Sequence, residues 1–246
     1  MIERRPGLDR NDSLTDAEPS STVHNGNGGQ RTSRDDGNGN GNGNGNEKHN
    51  FHAGVTLIAQ ADFPTKFGNF VLYGFYDKDA KKEHTAVVKG DVDGSIGCPV
   101  RIHSECHTGD VWGSLRCDCR DQLEAALRYI QGRGYGAVIY LKQEGRGIGL
   151  INKIKTYQLQ DLGLDTVEAN EFLGFPAEAR NYHAASEILD ILGIKSVKLL
   201  TNNPDKMNKL SKLGVTIDKR IPLITKTNNH NKFYLETKKL KMGHLY

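Results

Sequence analysis

The chain has 246 residues, of which 26% are charged and 36% hydrophobic, and its formal net charge is +3. That length holds one large domain or two small ones, and so mild a charge predicts no nucleic-acid surface. No apolar run is long enough to span a bilayer and the first ten residues lack the apolar core of a secretory signal, so a cytoplasmic protein with no membrane partner is expected.

Residues 1–50 contain almost no aliphatic side chains, and from Gly37 to Asn46 glycine and asparagine strictly alternate. Such a segment buries too little apolar surface to offset its ordering entropy, which predicts a disordered low-complexity tail. Residues 51–246 are then one domain of roughly 190 to 200 residues, an ordinary size for a single core. Val55 to Ile58, Asn69 to Tyr76, His84 to Lys89 and Pro99 to His103 are short β-rich runs, separated by turns such as Asp77-Lys78-Asp79. They predict an antiparallel opening.

From Arg101 to Gln122 the chain packs Cys106, Cys117 and Cys119 into fourteen positions. On an extended chain Cys117 and Cys119 point to the same face, and Gly109 and Gly113 allow the loop to fold Cys106 back toward them. Clustered cysteines in a reducing compartment are more often ligands than disulfides, so a three-thiolate metal site is predicted. His103, His107 and Asp118 are possible fourth ligands that would close a structural site. An open fourth position would instead suit activation of water for attack on an electrophilic carbon. Three thiolates soften a metal's Lewis acidity unless cations sit close, and Arg101 and Arg116 are candidates. Cys98 stands apart and reads as a small buried residue.

Leu123, Leu127 and Ile130 have helical spacing, with Asp118 or Asp121 as N-cap and Gly132 and Gly134 as stops. A helix starting there would favour thiolate at the adjoining cysteines. Ala137 to Leu141 reads as a strand that feeds the glycine-rich run Gln143 to Gly149, followed by a helix carrying Leu150, Ile154 and Tyr157. That order suits phosphate or base binding, and equally a plain tight turn. Residues 174–181 read as a loop. A helix with Ala184, Ala185, Ile188, Leu189 and Leu192 on one side follows, then a strand at Ser196 to Thr201. Asn203 and Pro204 open another helix, and Val215 to Ile221 is the last strand. Lys238, Lys239 and Lys241 read as a solvated helix face. The whole is an α+β fold: a mixed β-sheet with antiparallel N-terminal strands and packed helices.

The run from Arg101 to Gln122 closely resembles the signature of GTP cyclohydrolase II. The resemblance continues through Gln143 to Arg146, Leu159 to Asp161, Asp165 to Asn170, Leu200 to Pro204 and Lys241 to Leu245, and covers nearly all of residues 55 to 246. It implies a single catalytic domain of that type over residues 51–246, acting as a homodimer with GTP as substrate. The implied cofactors are one Zn2+ per subunit, held by Cys106, Cys117 and Cys119, and Mg2+ on the GTP phosphates. The implied reaction opens the guanine ring as the first step of riboflavin biosynthesis. Formate and pyrophosphate leave, and 2,5-diamino-6-(5-phospho-ribosylamino)pyrimidin-4(3H)-one remains. Arg101, Ile102, His103, Ser104, Glu105, Gln122, Glu144, Gly145, Arg146, Thr166, Thr201 and Lys206 match nucleotide-contacting positions, and Tyr157 matches a tyrosine needed at the base. Arg180 matches an arginine proposed to attack the α-phosphate. Guanidinium is a poor nucleophile, so a charge clamp is an equal reading. Either Glu105 or Glu144 could hold the guanine edge.

One position departs from the pattern. The family has aspartate as proton acceptor two residues before the arginine, where this chain has Glu178. If the longer carboxylate is tolerated the enzyme is ordinary; otherwise the chain is a relative that stops at a formamidopyrimidine. A zinc-stabilised nucleotide-binding module without activity is the non-enzyme alternative.

Overall fold

The computed structural model describes residues 54–245. The expected disordered tail lies outside the described residues. Seven strands form one sheet in the order β1-β2-β3-β5-β4-β6-β7. Strands β1 (Val55–Thr65), β2 (Gly68–Asp77) and β3 (Lys82–Lys89) run antiparallel, and β3 pairs antiparallel with β5 (Gly136–Leu141). Parallel pairing links β5 to β4 (Cys98–Ser104), then to β6 (Val197–Leu200) and β7 (Ile217–Ile221). This is the mixed sheet with antiparallel N-terminal strands that the sequence predicts.

Strands β4 and β5 are buried almost throughout, as parallel strands covered on both faces must be. Neighbouring residues therefore serve opposite sides. Val138 packs with Phe70, Leu200 and the α1 (Cys119–Arg133) residues Ala126, Leu127 and Ile130. Ile139 joins Val100, Ile102 and Leu199 beneath Ala185, Ile188 and Leu189 of α4 (His183–Ile191) and Leu210 of α5 (Pro204–Lys212). Burying each large aliphatic side chain contributes roughly 1.5–3 kcal/mol. Asn203 caps α5 by accepting from Asp205 N at 2.9 Å, with Pro204 at the first helical position, as read from the sequence. Cys98 is fully buried, also as expected.

Helix α2 (Leu150–Asp161) carries Leu150, Ile154 and Tyr157 as expected, with Thr156 buried and Ile154 exposed. Three details differ. Strand β1 runs to Thr65 rather than ending at Ile58; it is an exposed edge after Val55, so no hydrophobic alternation marks its length, and an edge tolerates Pro64. Helix α3 (Thr166–Phe172) forms where no helix was expected. Its capping box is explicit: Asp165 accepts from Val167 N and Glu168 N, and Glu168 accepts from Asp165 N. Finally, Lys238 on α6 (Lys232–Met242) is buried, which corrects the solvated face expected of Lys238, Lys239 and Lys241.

The parallel strands β4, β5 and β6 end together. Their exits lead to Cys106, Glu144 and Thr201, outside the carboxyl ends where open α/β sheets bind ligands.

Candidate active site

After β4 the chain turns through His107–Val111, and Asp110 folds back beneath it. One Asp110 carboxylate oxygen accepts from Cys106 N at 3.0 Å and Tyr140 Oη at 2.8 Å, and it lies 3.0 Å from His103 Nε2. The Cys106 backbone is thereby pinned from behind. Cys117 precedes α1 and Cys119 is its first residue. The three sulfurs lie within 4.8 Å of one another, with Cys106 and Cys117 separated by 3.7 Å. A tetrahedral zinc with bonds of about 2.3 Å sets sulfurs about 3.8 Å apart, so the cradle fits that ion. Gly109 closes it: an added Cβ would stand 2.9 Å from Cys117 Sγ and 3.1 Å from Cys106 Sγ. Hydrogen bonding from Cys117 and Cys119, with Lys153 beyond them, holds the Cys106 thiol far below its ordinary range.

Among the described residues the cluster contains cysteines alone. His103 faces Asp110 and stacks on Tyr140, His107 meets Trp112 edge-on, and Asp118 pairs with Lys238. A closing fourth ligand is therefore not supplied by any of the three candidates in this conformation. Both cations expected from the sequence line the same cleft as the cysteines, with their hydrogen bonds directed to other groups. Arg116 pairs with Asp161 at the surface, and Arg101 donates to Gln122 Oε1 at 2.7 Å and Leu200 O at 3.0 Å.

The cation at the cluster is Lys153, whose Nζ lies 3.1 Å from Cys106 Sγ and 2.8 Å from Glu144 Oε1. Glu144 also accepts from His107 N at 2.5 Å and from Gly145 N at 2.8 Å. Tyr157 Oη lies 3.0 Å from Thr108 Oγ1, beside the cysteines. Lys153, Thr156, Tyr157 and Gln160 all line the cleft, at i, i+3, i+4 and i+7 on α2. That polar stripe was the sequence signal for Lys153, hidden by the apolar residues between.

The other end of the cleft is cationic. Arg146 has a left-handed backbone, φ 59, rare outside glycine and a mark of functional strain. Both of its terminal nitrogens, and Arg101 Nε, are buried without a protein partner. Lys206 donates to Ile102 O at 2.6 Å and lies 5.5 Å from the Tyr182 ring. Burial, with Arg101 and Arg180 nearby, lowers it well below an ordinary lysine. Glu178 grips Arg180 at Nε (2.7 Å), Nη2 and the backbone N–H (3.0 Å). Burial would lower the Arg180 pKa, but Tyr182 and Glu178 beside it raise it, and the guanidinium stays charged.

Helix α6 and the residues after it form the remaining wall through Tyr234, Lys238, Met242 and His244. Lys238 Nζ pairs with Asp118 Oδ1 at 2.8 Å, and Asp118 also accepts from Gln122 Nε2 at 2.5 Å. Burial, then Lys238, Arg180 and Arg146, push His244 down to about 3, which keeps it neutral. These residues were missed because the partner of Lys238 lies 120 positions away in sequence.

The cleft encloses about 1060 Å³ of space open to solvent, room enough for a nucleotide. It is lined by Arg101, His103, Ser104, Glu105, Gln122, Glu144, Gly145, Arg146, Tyr157, Thr166, Arg180, Thr201, Lys206 and the three clustered cysteines. Two of the predicted residues stand behind the wall: Ile102 keeps its side chain in the core and offers its carbonyl to Lys206, and Glu178 acts on Arg180. A site of three clustered cysteine sulfurs at one end and buried arginine nitrogens without hydrogen-bond partners at the other suits a ligand with a reactive, hydrogen-bonding head and a polyanionic tail.

The family model for GTP cyclohydrolase II matches residues 56–222. A "GTP cyclohydrolase-2" of Picrophilus torridus is 51% identical over 192 residues, 78% of this chain and 100% of the relative. One from Buchnera aphidicola is 52% identical over 191 residues, 78% of this chain and 98% of the relative. The "Riboflavin biosynthesis protein RibBA" of Synechocystis is 53% identical over 185 residues, 74% of this chain but 33% of that longer protein.

Proposed function

The chain belongs to the GTP cyclohydrolase II family of enzymes, and from that premise we propose that it hydrolyses GTP at the start of riboflavin biosynthesis, with zinc at Cys106, Cys117 and Cys119. The observation that carries this reading is the polarity of the cleft, clustered cysteine sulfurs at one end and buried unpartnered arginine nitrogens at the other. The products would be formate, pyrophosphate and the 2,5-diaminopyrimidinone carrying ribosyl 5′-phosphate.

In this reading Arg101, Arg146, Arg180 and Lys206 receive the triphosphate, accompanied by Mg2+ on its oxygens. His103, Ser104, Gln122, Gly145, Thr166 and Thr201 border the nucleotide. Zinc, when bound, supplies a Lewis acid that acidifies water for attack at an electrophilic ring carbon. Tyr157, held beside Thr108, stands over the base end and positions the reacting ring. Of the two carboxylates, Glu144 already accepts from three donors, whereas Glu105 engages Lys142. Glu105 is therefore assigned the guanine edge, where a carboxylate accepts from N1–H and the amino group together and an adenine would leave it unpaired.

Arg180 is a charge clamp on the phosphate in this account. A guanidinium gripped by a carboxylate at two nitrogens keeps its proton and has no lone pair to offer. Glu178 reaches the arginine side chain and the backbone N–H at once, so the extra methylene is absorbed by the clamp. That favours the ordinary enzyme over one that stops at a formamidopyrimidine. Residues 51–246 are the catalytic unit. The working form is a homodimer: Trp112, Leu115 and Ile151 leave apolar surface exposed that a second copy would cover, and light scattering would report twice the 27.2 kDa chain mass.

Mass spectrometry of products from GTP, with zinc-loaded protein and magnesium, tests the proposal. Formate and the diaminopyrimidine in equal amounts are expected. Accumulation of a formylated pyrimidine would contradict the assignment, and binding without any product would leave only the non-catalytic module.

A further inference from the structure

Three thiolates on a divalent ion leave one negative charge in excess, which weakens the ion as a Lewis acid. Something in the protein must offset it if water is to be acidified there. Arg116 and Arg101 line the same cleft, but their hydrogen bonds go to Asp161 and to Gln122 and a backbone carbonyl, whereas Lys153 meets a cysteine sulfur directly.

We propose that Lys153 completes the metal centre as a positioning residue. Its ammonium hydrogen-bonds the Cys106 sulfur and offsets the excess thiolate charge, while Glu144 sets where it points. The inference rests on the reading that the cysteines hold a divalent ion. Its geometry is built rather than incidental. Nζ meets Cys106 Sγ at 3.1 Å and Glu144 Oε1 at 2.8 Å, and the side chain is 12% exposed. An added Cβ on Gly145 would come within 3.2 Å of Lys153 Cβ, so loop and lysine are packed against each other. Glu144 pairs with the ammonium from the other side while also accepting from the backbone N–H groups of His107 and Gly145, so what Lys153 brings to Cys106 is a fixed N–H donor that draws charge from that one sulfur. The same contact to His107 N braces the residue that follows Cys106. Partners of this kind, one step beyond the ligands, orient the ligating atom and tune the ion.

Cobalt(II) loading of the full chain tests this without relying on turnover. Lys153→Met keeps the length and packing of the side chain and removes its charge, whereas Lys153→Arg keeps the charge. Loss of an outer partner weakens metal binding by about 10–100-fold, and that loss is expected for Lys153→Met in competition with a chelator. Its sulfur-to-cobalt charge-transfer band should also move to lower energy, because a sulfur without an N–H donor gives up its electron more readily. Lys153→Arg should restore both. Thermal unfolding without metal shows whether Lys153→Met remains folded, and the arginine variant provides the second readout. Cobalt affinity and band position equal to wild type in Lys153→Met would overturn the proposal, as would Lys153→Arg behaving like the methionine variant. Failure of the wild-type chain to take up cobalt at all would instead bring down the metal reading beneath it, and failure of GTP turnover with cobalt binding intact would leave this inference standing.

Discussion

At the metal end of the cleft, Asp110 collects a backbone N–H, a tyrosine and a histidine, and Glu144 collects two backbone N–H groups and Lys153. At the far end, Arg146 and Arg101 present buried nitrogens with no protein partner, and Lys206 is crowded by other cations. The first end is an internally satisfied scaffold around three sulfurs, finished by a small ion. The second is short of acceptors, which the triphosphate of the proposed substrate would supply. Burying unpaired cations is costly unless a ligand brings the counter-charge, and the contrast is the basis for the orientation proposed for the substrate.

The largest expected effect that separates the ends is at Arg180. Removing a donor that meets developing charge costs on the order of 100–1000-fold in kcat, and Arg180→Met should show that loss with metal content unchanged. Arg180→Lys should recover part of it if the residue is a clamp. A covalent nucleotide adduct trapped on Arg180 in the wild-type protein would contradict the clamp.

A middling effect is expected from Lys238→Met, which touches both ends. It strips the counter-ion from Asp118, a buried carboxylate between Cys117 and Cys119. Breaking a buried pair from one side destabilises by about 3–5 kcal/mol, and chemical denaturation should show it. An unchanged denaturation midpoint would mean that α6 is not anchored by this pair.

The smallest signal concerns protons at the phosphate end. In the free cleft Lys206 is lowered well below its ordinary 10.5 by burial and by Arg101 and Arg180. A triphosphate beside it favours the ammonium and raises that value. Between the two values binding therefore takes up a proton, and affinity weakens as pH rises. Calorimetry of a non-hydrolysable GTP analogue in buffers of different ionisation enthalpy measures this uptake; proton release would reverse the assignment.

The sequence disclosed the metal end far better than its surroundings, for physical reasons. Thiolate ligation demands specific residue types at short spacing, so Cys106, Cys117 and Cys119 stand out unaided. The turn at Gly145 and Arg146 showed as glycines, yet nothing local said that Arg146 would be the residue held in the left-handed region. The Asp165 and Glu168 box has the spacing of a helix start, but the seven residues that follow are too few to show a hydrophobic period. Strand β1 could not be bounded, because an exposed edge has no core face to alternate. Ion pairs such as Lys238 with Asp118 and Lys153 with Glu144 depend on tertiary placement, and a lysine looks alike in sequence whether it faces solvent or a buried carboxylate.

Two separate devices sharing one cleft should fail separately, and Cys106→Ser, assayed with GTP and magnesium for formate and pyrophosphate in the same reaction, shows whether they do. The expected result is loss of metal and of formate release, with nucleotide binding retained and pyrophosphate release outlasting ring opening. If nucleotide binding persisted but formate and pyrophosphate vanished together, the ends would be one coupled device and the account would fail.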